Sequence, residues 1–109
     1  MKTSELTGKA LDWAVARCEG GVGVDQLIGT WYSPSTNWAQ GGPIIERDGI
    51  SIVLDWDVVG EFLWGATRIE GPAVSEAEGT TPLIAAMRCY VASQLGDEVD
   101  VPKWLEELK

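Results

Sequence analysis

The chain contains no histidine, which removes the side chain that titrates nearest neutrality and the commonest zinc ligand together. Serine and cysteine triads built on histidine are thereby excluded. Cysteine is almost as scarce: Cys18 and Cys89 are the two present, too few for a four-cysteine zinc site and without CxxC spacing. Both are read as small core thiols, kept reduced in the cytoplasm. Basic residues are few, eight against 17 acids for a net charge of −9, so a groove that neutralises nucleic-acid phosphates is not expected. No apolar run approaches the ~20 residues that cross a bilayer, and Met1 to Thr7 lack the basic start and apolar centre of a signal peptide. The expectation is a cytoplasmic protein with no direct contact to membrane or nucleic acid, and with no metal or cofactor.

What is present is enough for one core. The 109 residues are 45% hydrophobic and 23% charged, ordinary globular proportions, and are read as a single domain over 1–109. Thr7 stands where it can cap a first helix, with Leu6 positioned to pack on Leu11. Leu11, Ala14, Val15 and Cys18 then recur with helical period as far as Cys18 or Glu19. Gly20, Gly21 and Gly23 read as its stop. Gly20-Gly21-Val22-Gly23 also suggests a phosphate loop, but it follows a helix and lacks the lysine and hydroxyl that chemistry needs. Residues 24–40 are irregular.

A short strand is expected over about 43–46, then a turn at Arg47-Asp48-Gly49. Ile50, Ile52, Leu54 and Trp56 alternate with Ser51, Val53, Asp55 and Asp57, the clearest strand signal in the chain. Phe62, Trp64 and Ala66 share a face of a second strand, giving an antiparallel hairpin over about 50–69. Residues about 70–80, rich in Gly, Pro, Ser and Glu, read as a mobile linker. Thr81-Pro82 opens a second helix as cap and first helical residue, and Leu83, Ile84, Met87, Tyr90, Val91 and Leu95 trace its apolar stripe up to Gly96. The tail reads as an extended piece followed by a helical turn. The expected fold is α+β, with two main helices on one face of a small antiparallel sheet. The other face of so small a sheet is bare, which invites a homodimer.

Carboxylates Asp55, Asp57 and Glu61 lie close enough in sequence to share a cation or proton, or simply to form a solvated face. Tryptophan supplies six of nine aromatics. A core this small needs about three, Trp13 or Trp104 against the helices with Trp56 and Trp64 on the hairpin, which leaves Trp31 and Trp38 in the irregular segment. Around them stand Tyr32, Ser35, Thr36, Asn37 and Gln40, neutral donors and acceptors beside flat rings. Such a set suits a planar ligand, or else the rings pack beneath the loop. The start of the second helix at Thr81 offers a place for a phosphate, together with Arg88 or an arginine of a neighbouring chain; plain capping is the alternative.

The stretches Ser33-Pro34-Ser35-Thr36-Asn37-Trp38-Ala39-Gln40-Gly41-Gly42-Pro43-Ile44-Ile45 and Thr81-Pro82-Leu83-Ile84-Ala85-Ala86-Met87-Arg88-Cys89-Tyr90-Val91-Ala92-Ser93, continuing through Gly96 to Pro102, together with Leu6 to Cys18, resemble the NinX-like proteins of tailed phages and prophages. The resemblance implies a phage-encoded accessory protein in the host cytoplasm and carries no site residues with it. Two functions fit. One is a non-catalytic binding module whose loop captures a small planar ligand, a nucleotide for example, in counter-defence. The other is an acidic inhibitor of a host nucleic-acid-binding or defence enzyme, working through carboxylates such as Asp55, Asp57, Glu61, Glu76 and Glu78.

Overall fold

A computed structural model of the chain describes residues 1–20, 32–56 and 62–106. A 3-10 turn at Thr3–Glu5 precedes helix α1 (Gly8–Cys18); helix α2 spans Trp38–Asp48. Strands β1 (Ser51–Trp56), β2 (Phe62–Glu70) and β3 (Ala73–Gly79) follow, then helix α3 (Pro82–Leu95) and the short α4 (Lys103–Glu106). The strands form one antiparallel sheet in the order β1-β2-β3. The fold is therefore α+β, as expected.

Helix α3 is the centre of the molecule. Thr81 Oγ1 accepts the Ile84 N–H at 3.1 Å and Pro82 occupies the first turn, the capping the sequence encodes. Leu83, Ala85, Ala86, Met87, Cys89, Tyr90 and Val91 are buried, so the helix is enclosed on nearly every side instead of along one stripe. It packs across all three strands, and α1 and α2 pack against it in turn. Helix α1 buries Ala10 through Ala16. Leu6 and Leu11 are both fully buried in the same core, while the Thr7 side chain makes no cap bond. Trp13 is buried, with the Arg17 guanidinium 5.3 Å from its ring centre.

Two expectations are corrected. The short strand expected over 43–46 is helix: all four residues lie in α2. Asn37 starts that helix by accepting the Ala39 N–H on Oδ1 at 2.9 Å, and Gly49 closes it in the left-handed region at φ 64°. Gly41-Gly42-Pro43 looked like a chain break, yet Gly41 serves close packing. A Cβ there would lie 2.5 Å from the Pro34 carbonyl oxygen and 2.6 Å from Leu83 Cδ2, so only glycine lets α2 meet α3 at this depth.

The linker expected over about 70–80 is instead largely strand β3. Glu70 pairs with Ala73, so Gly71 and Pro72 form a two-residue hairpin turn. Ala73, Ser75, Ala77 and Gly79 face the helices, and Val74, Glu76 and Glu78 face outward. The usual pattern of large apolar residues inward is inverted because α3 passes so near: a Cβ on Gly79 would lie 2.7 Å from the Ala85 nitrogen.

The tail runs as expected. Met1 and Val99 exchange backbone bonds at 2.9 and 3.0 Å, and Lys2 bridges Glu98. Val99 and Leu105 are buried. No helix among the described residues is long and apolar enough to cross a membrane.

Candidate functional site

The segment that carried most of the site expectation is built into the scaffold. Tyr32 is half-buried, its phenol pushed up to about 12 by burial and then by the Glu19 and Asp12 carboxylates. The Ser33 N–H donates to Gln40 Oε1 at 2.5 Å, and the Ser35 N–H donates to Asp12 Oδ1 at 2.9 Å. Both Asp12 and Ser35 are buried. Burial raises the Asp12 pKa, and the neighbouring Ser35 partly opposes that; the Ser35 hydroxyl itself lies near the carboxyl without completing a hydrogen bond. Thr36 is exposed, with its hydroxyl 3.5 Å from the Ser33 carbonyl. Asn37 is committed as the α2 cap, and Trp38 leaves 55% of its surface exposed just after it. Trp31 lies outside the described residues, as do Asp57 and Glu61.

Thr81 and Arg88 sit on α3, and both are occupied. Thr81 caps its helix. Arg88 Nε donates to the Leu6 carbonyl at 2.8 Å and Nη1 to the Glu78 carbonyl at 2.8 Å. Burial pulls the Arg88 pKa down. The contact of Gly41 with Leu83 sets the first turn of α2 against that of α3, so Trp38 and Thr81 belong to neighbouring helix starts. Arg88 lies further along α3, on the wall of a different cavity.

A charge network missed in the sequence ties the helix ends to the sheet. Arg47 donates to both Glu19 carboxylate oxygens at 2.7 and 2.9 Å and to Asp48 at 2.8 Å. Tyr90 donates its hydroxyl to Glu19 at 2.5 Å. Arg68 reaches Asp48 at 3.2 Å and Glu70 at 2.6 Å. Arg47 holds Glu19 below the usual carboxylate range, and burial raises the Tyr90 pKa, with the Glu19 carboxylate adding to it. Each arginine here faces two carboxylates, an arrangement that clamps elements together and leaves its charge already matched.

The open surface lies on the other side of the sheet. The register puts Val53, Leu63, Gly65, Thr67, Ile69, Val74, Glu76 and Glu78 on the face away from the helices. Val53, Ile69 and Val74 are 61%, 70% and 57% exposed. A cavity of about 840 Å³ is lined by Val53, Leu63, Thr67, Glu76, Glu78 and, around the β3 edge, Arg88. Thr80 borders it too, with Glu76 and Glu78, whereas Thr81 is not among its lining residues. Among the described residues no group of three carboxylate or thiol side chains is placed to hold a metal ion.

A family model described as Bacteriophage P22, NinX matches residues 2–94, a span that includes the whole sheet, α1, α2 and nearly all of α3. No curated protein matches the chain.

Proposed function

From the premise that the chain belongs to the NinX family of bacteriophage P22, we propose that it is a phage accessory protein that acts by binding and not by catalysis, and that it engages a host protein through the outer face of its sheet. The observation that carries this reading is the presence of three aliphatic side chains, each more than half exposed, together with Glu76 and Glu78 on a face to which the described strand residues turn no lysine or arginine, Arg88 reaching it only around the β3 edge. Ile69 and Val74 pair across β2 and β3, and Val53 lies further along the same face beside Gly65; exposed apolar surface of this kind marks interaction sites, and a net charge of −9 selects basic partners while discouraging nucleic acid itself. A host nucleic-acid-binding or defence enzyme, whose working surface is basic, has the matching chemistry.

Affinity capture from infected cells, repeated with Ile69→Lys and with Glu76→Lys, tests the reading. Loss of one specific host protein with both variants, and weakening of its binding as salt rises, is the expected result. A partner retained by both variants overturns it.

A second reading rests on Trp38, whose ring stays exposed beside two abutting helix starts. Here Trp38, next to the α2 cap Asn37 and with Thr81 at the neighbouring start of α3, stacks on a planar ligand such as a nucleotide, in a sequestering role. Saturable quenching of tryptophan fluorescence by nucleotides, abolished by Trp38→Ala, supports it; unchanged fluorescence across millimolar nucleotide refutes it.

A further inference from the structure

Strand β3 forms one edge of the sheet, and the direction of its unpaired groups can be fixed. The Glu78 carbonyl accepts from Arg88 at 2.8 Å, so it points away from β2. In an antiparallel ladder that direction repeats every second residue, which turns the N–H and C=O of Val74 and Glu76 outward as well. Among the described residues neither of these has a backbone partner beyond the ladder. Sheet edges are normally blunted by lysine, proline, bulges or a covering element. β3, with the sequence Ala73-Val74-Ser75-Glu76-Ala77-Glu78-Gly79, contains none of these within it. Its only deterrents are two carboxylates.

A groove runs along this edge. A cavity of about 200 Å³ lies between Lys2, Thr3 and Ser4 on one side and Glu76 and Ala77 on the other. It joins the larger cavity on the outer face, since Ser4, Glu76, Ala77 and Arg88 line both. The charges around the groove are Lys2 and Arg88 against Glu76, Glu78, Asp97 and Glu98. Two cations stand against four carboxylates, so the balance left for a partner is negative.

We propose that the free edge of β3 receives an extended segment of a partner protein as a fourth strand, and that this segment carries basic side chains opposite Glu76 and Glu78 and an aliphatic one opposite Val74. This rests on the outer face being the partner surface, and it names how that surface is entered. Backbone pairing with Val74 and Glu76 supplies affinity, and alternate side chains supply selection. Cross-strand neighbours interact directly, so lysine or arginine beside the two glutamates is favoured. A second copy of β3 would set glutamate beside glutamate in a chain of net charge −9, which disfavours self-pairing by the same rule.

The probe is a short synthetic peptide carrying lysine at two successive alternate positions and valine at the next alternate one, with the same peptide bearing glutamate in place of both lysines as its control, titrated into the intact protein and followed by amide hydrogen exchange. The lysine peptide is expected to slow exchange at Val74 and Glu76, to bind about tenfold more weakly to Glu76→Lys, and to lose affinity with salt; the glutamate peptide is expected not to bind. Binding without protection at those two amides overturns the proposal, as does equal binding of the two peptides. Protection that grows with protein concentration in the absence of peptide also overturns it, by making a second copy the occupant. Glu76→Pro removes the outward donor, and Glu76→Gln removes only the charge. Against the captured host protein, binding lost with Ile69→Lys but kept by Glu76→Pro refutes strand addition and leaves the face intact as the partner surface. Binding unaffected by either refutes the functional reading itself.

Discussion

Asp12→Asn is predicted to stabilise the protein at neutral pH, whereas Asp12→Ala is predicted to destabilise it. Asp12 is 6% exposed and accepts the N–H of Ser35, which is 1% exposed. Alanine strands that N–H in the interior, a loss of about 1–3 kcal/mol. For a domain of this size each kcal/mol moves the melting temperature by roughly 4 °C or more, so the Ala variant should melt about 4–12 °C lower. Asparagine keeps the acceptor and removes a charge that burial disfavours. The sign follows from the raised pKa of Asp12: the folded state holds the proton more tightly than the unfolded chain, so stability is fullest below the unfolded pKa and is lost as pH rises through the folded one. The advantage of Asn over Asp should therefore widen from acid to neutral pH. Thermal melts of the three proteins across that range give the answer. An Ala variant as stable as the wild type, or an Asn advantage that shrinks with rising pH, refutes the role assigned to this anchor.

Gly41→Ala sets a Cβ against the Pro34 carbonyl and Leu83 and should cost about 1–3 kcal/mol by urea denaturation. Tyr90→Phe deletes a buried donor to Glu19 and should cost about 1 kcal/mol, while Arg47→Ala should cost less than about 1 kcal/mol, because Arg47 is 53% exposed and solvent screens its ion pairs. Burial pushes the Cys18 thiol up to about 12 and the Cys89 thiol up to about 11. Neither should alkylate with iodoacetamide at mildly basic pH in the folded protein, and both should do so in urea, read by mass spectrometry.

The helices α1 and α3 were legible because their caps and periodicity agree: Thr81-Pro82 starts one, and Leu11, Ala14, Val15 and Cys18 line the other. The β1–β2 hairpin was legible from the alternation beginning at Ile50. Helix α2 was not, since Gly41, Gly42 and Pro43 carry turn chemistry and only the tertiary contact with Pro34 and Leu83 explains the glycine. Strand β3 was missed because small residues face the core and Val74, Glu76 and Glu78 face out, a pattern that reads as polar linker until α3 is known to lie above it. In the candidate loop the sequence showed the right donors and acceptors but not their partners. Ser35 and Asp12 are far apart in the chain, and Gln40 turns back on Ser33; such pairings are set by the fold and leave no local mark.

The bare face and the acidic charge also constrain each other. The exposed Ile69–Val74 pair, with Val53 further along the same face, favours burial against any apolar surface, including another copy, as the sequence itself suggested. Each copy brings a net charge of −9, and Glu76 and Glu78 share the face with these side chains, so the approach of two copies is opposed over the screening length, about 10 Å at 0.1 M salt but only about 3 Å at 1 M. Repulsion should thus weaken with salt while the apolar attraction persists or strengthens. The expected behaviour is a monomer at low ionic strength that self-associates at high ionic strength, and an Ile69→Lys variant that stays monomeric in both. Sedimentation velocity across that range decides it. A dimer already formed at low salt would mean that apolar contact outweighs the charge, and that the outer face is closed by its own kind before any basic partner arrives.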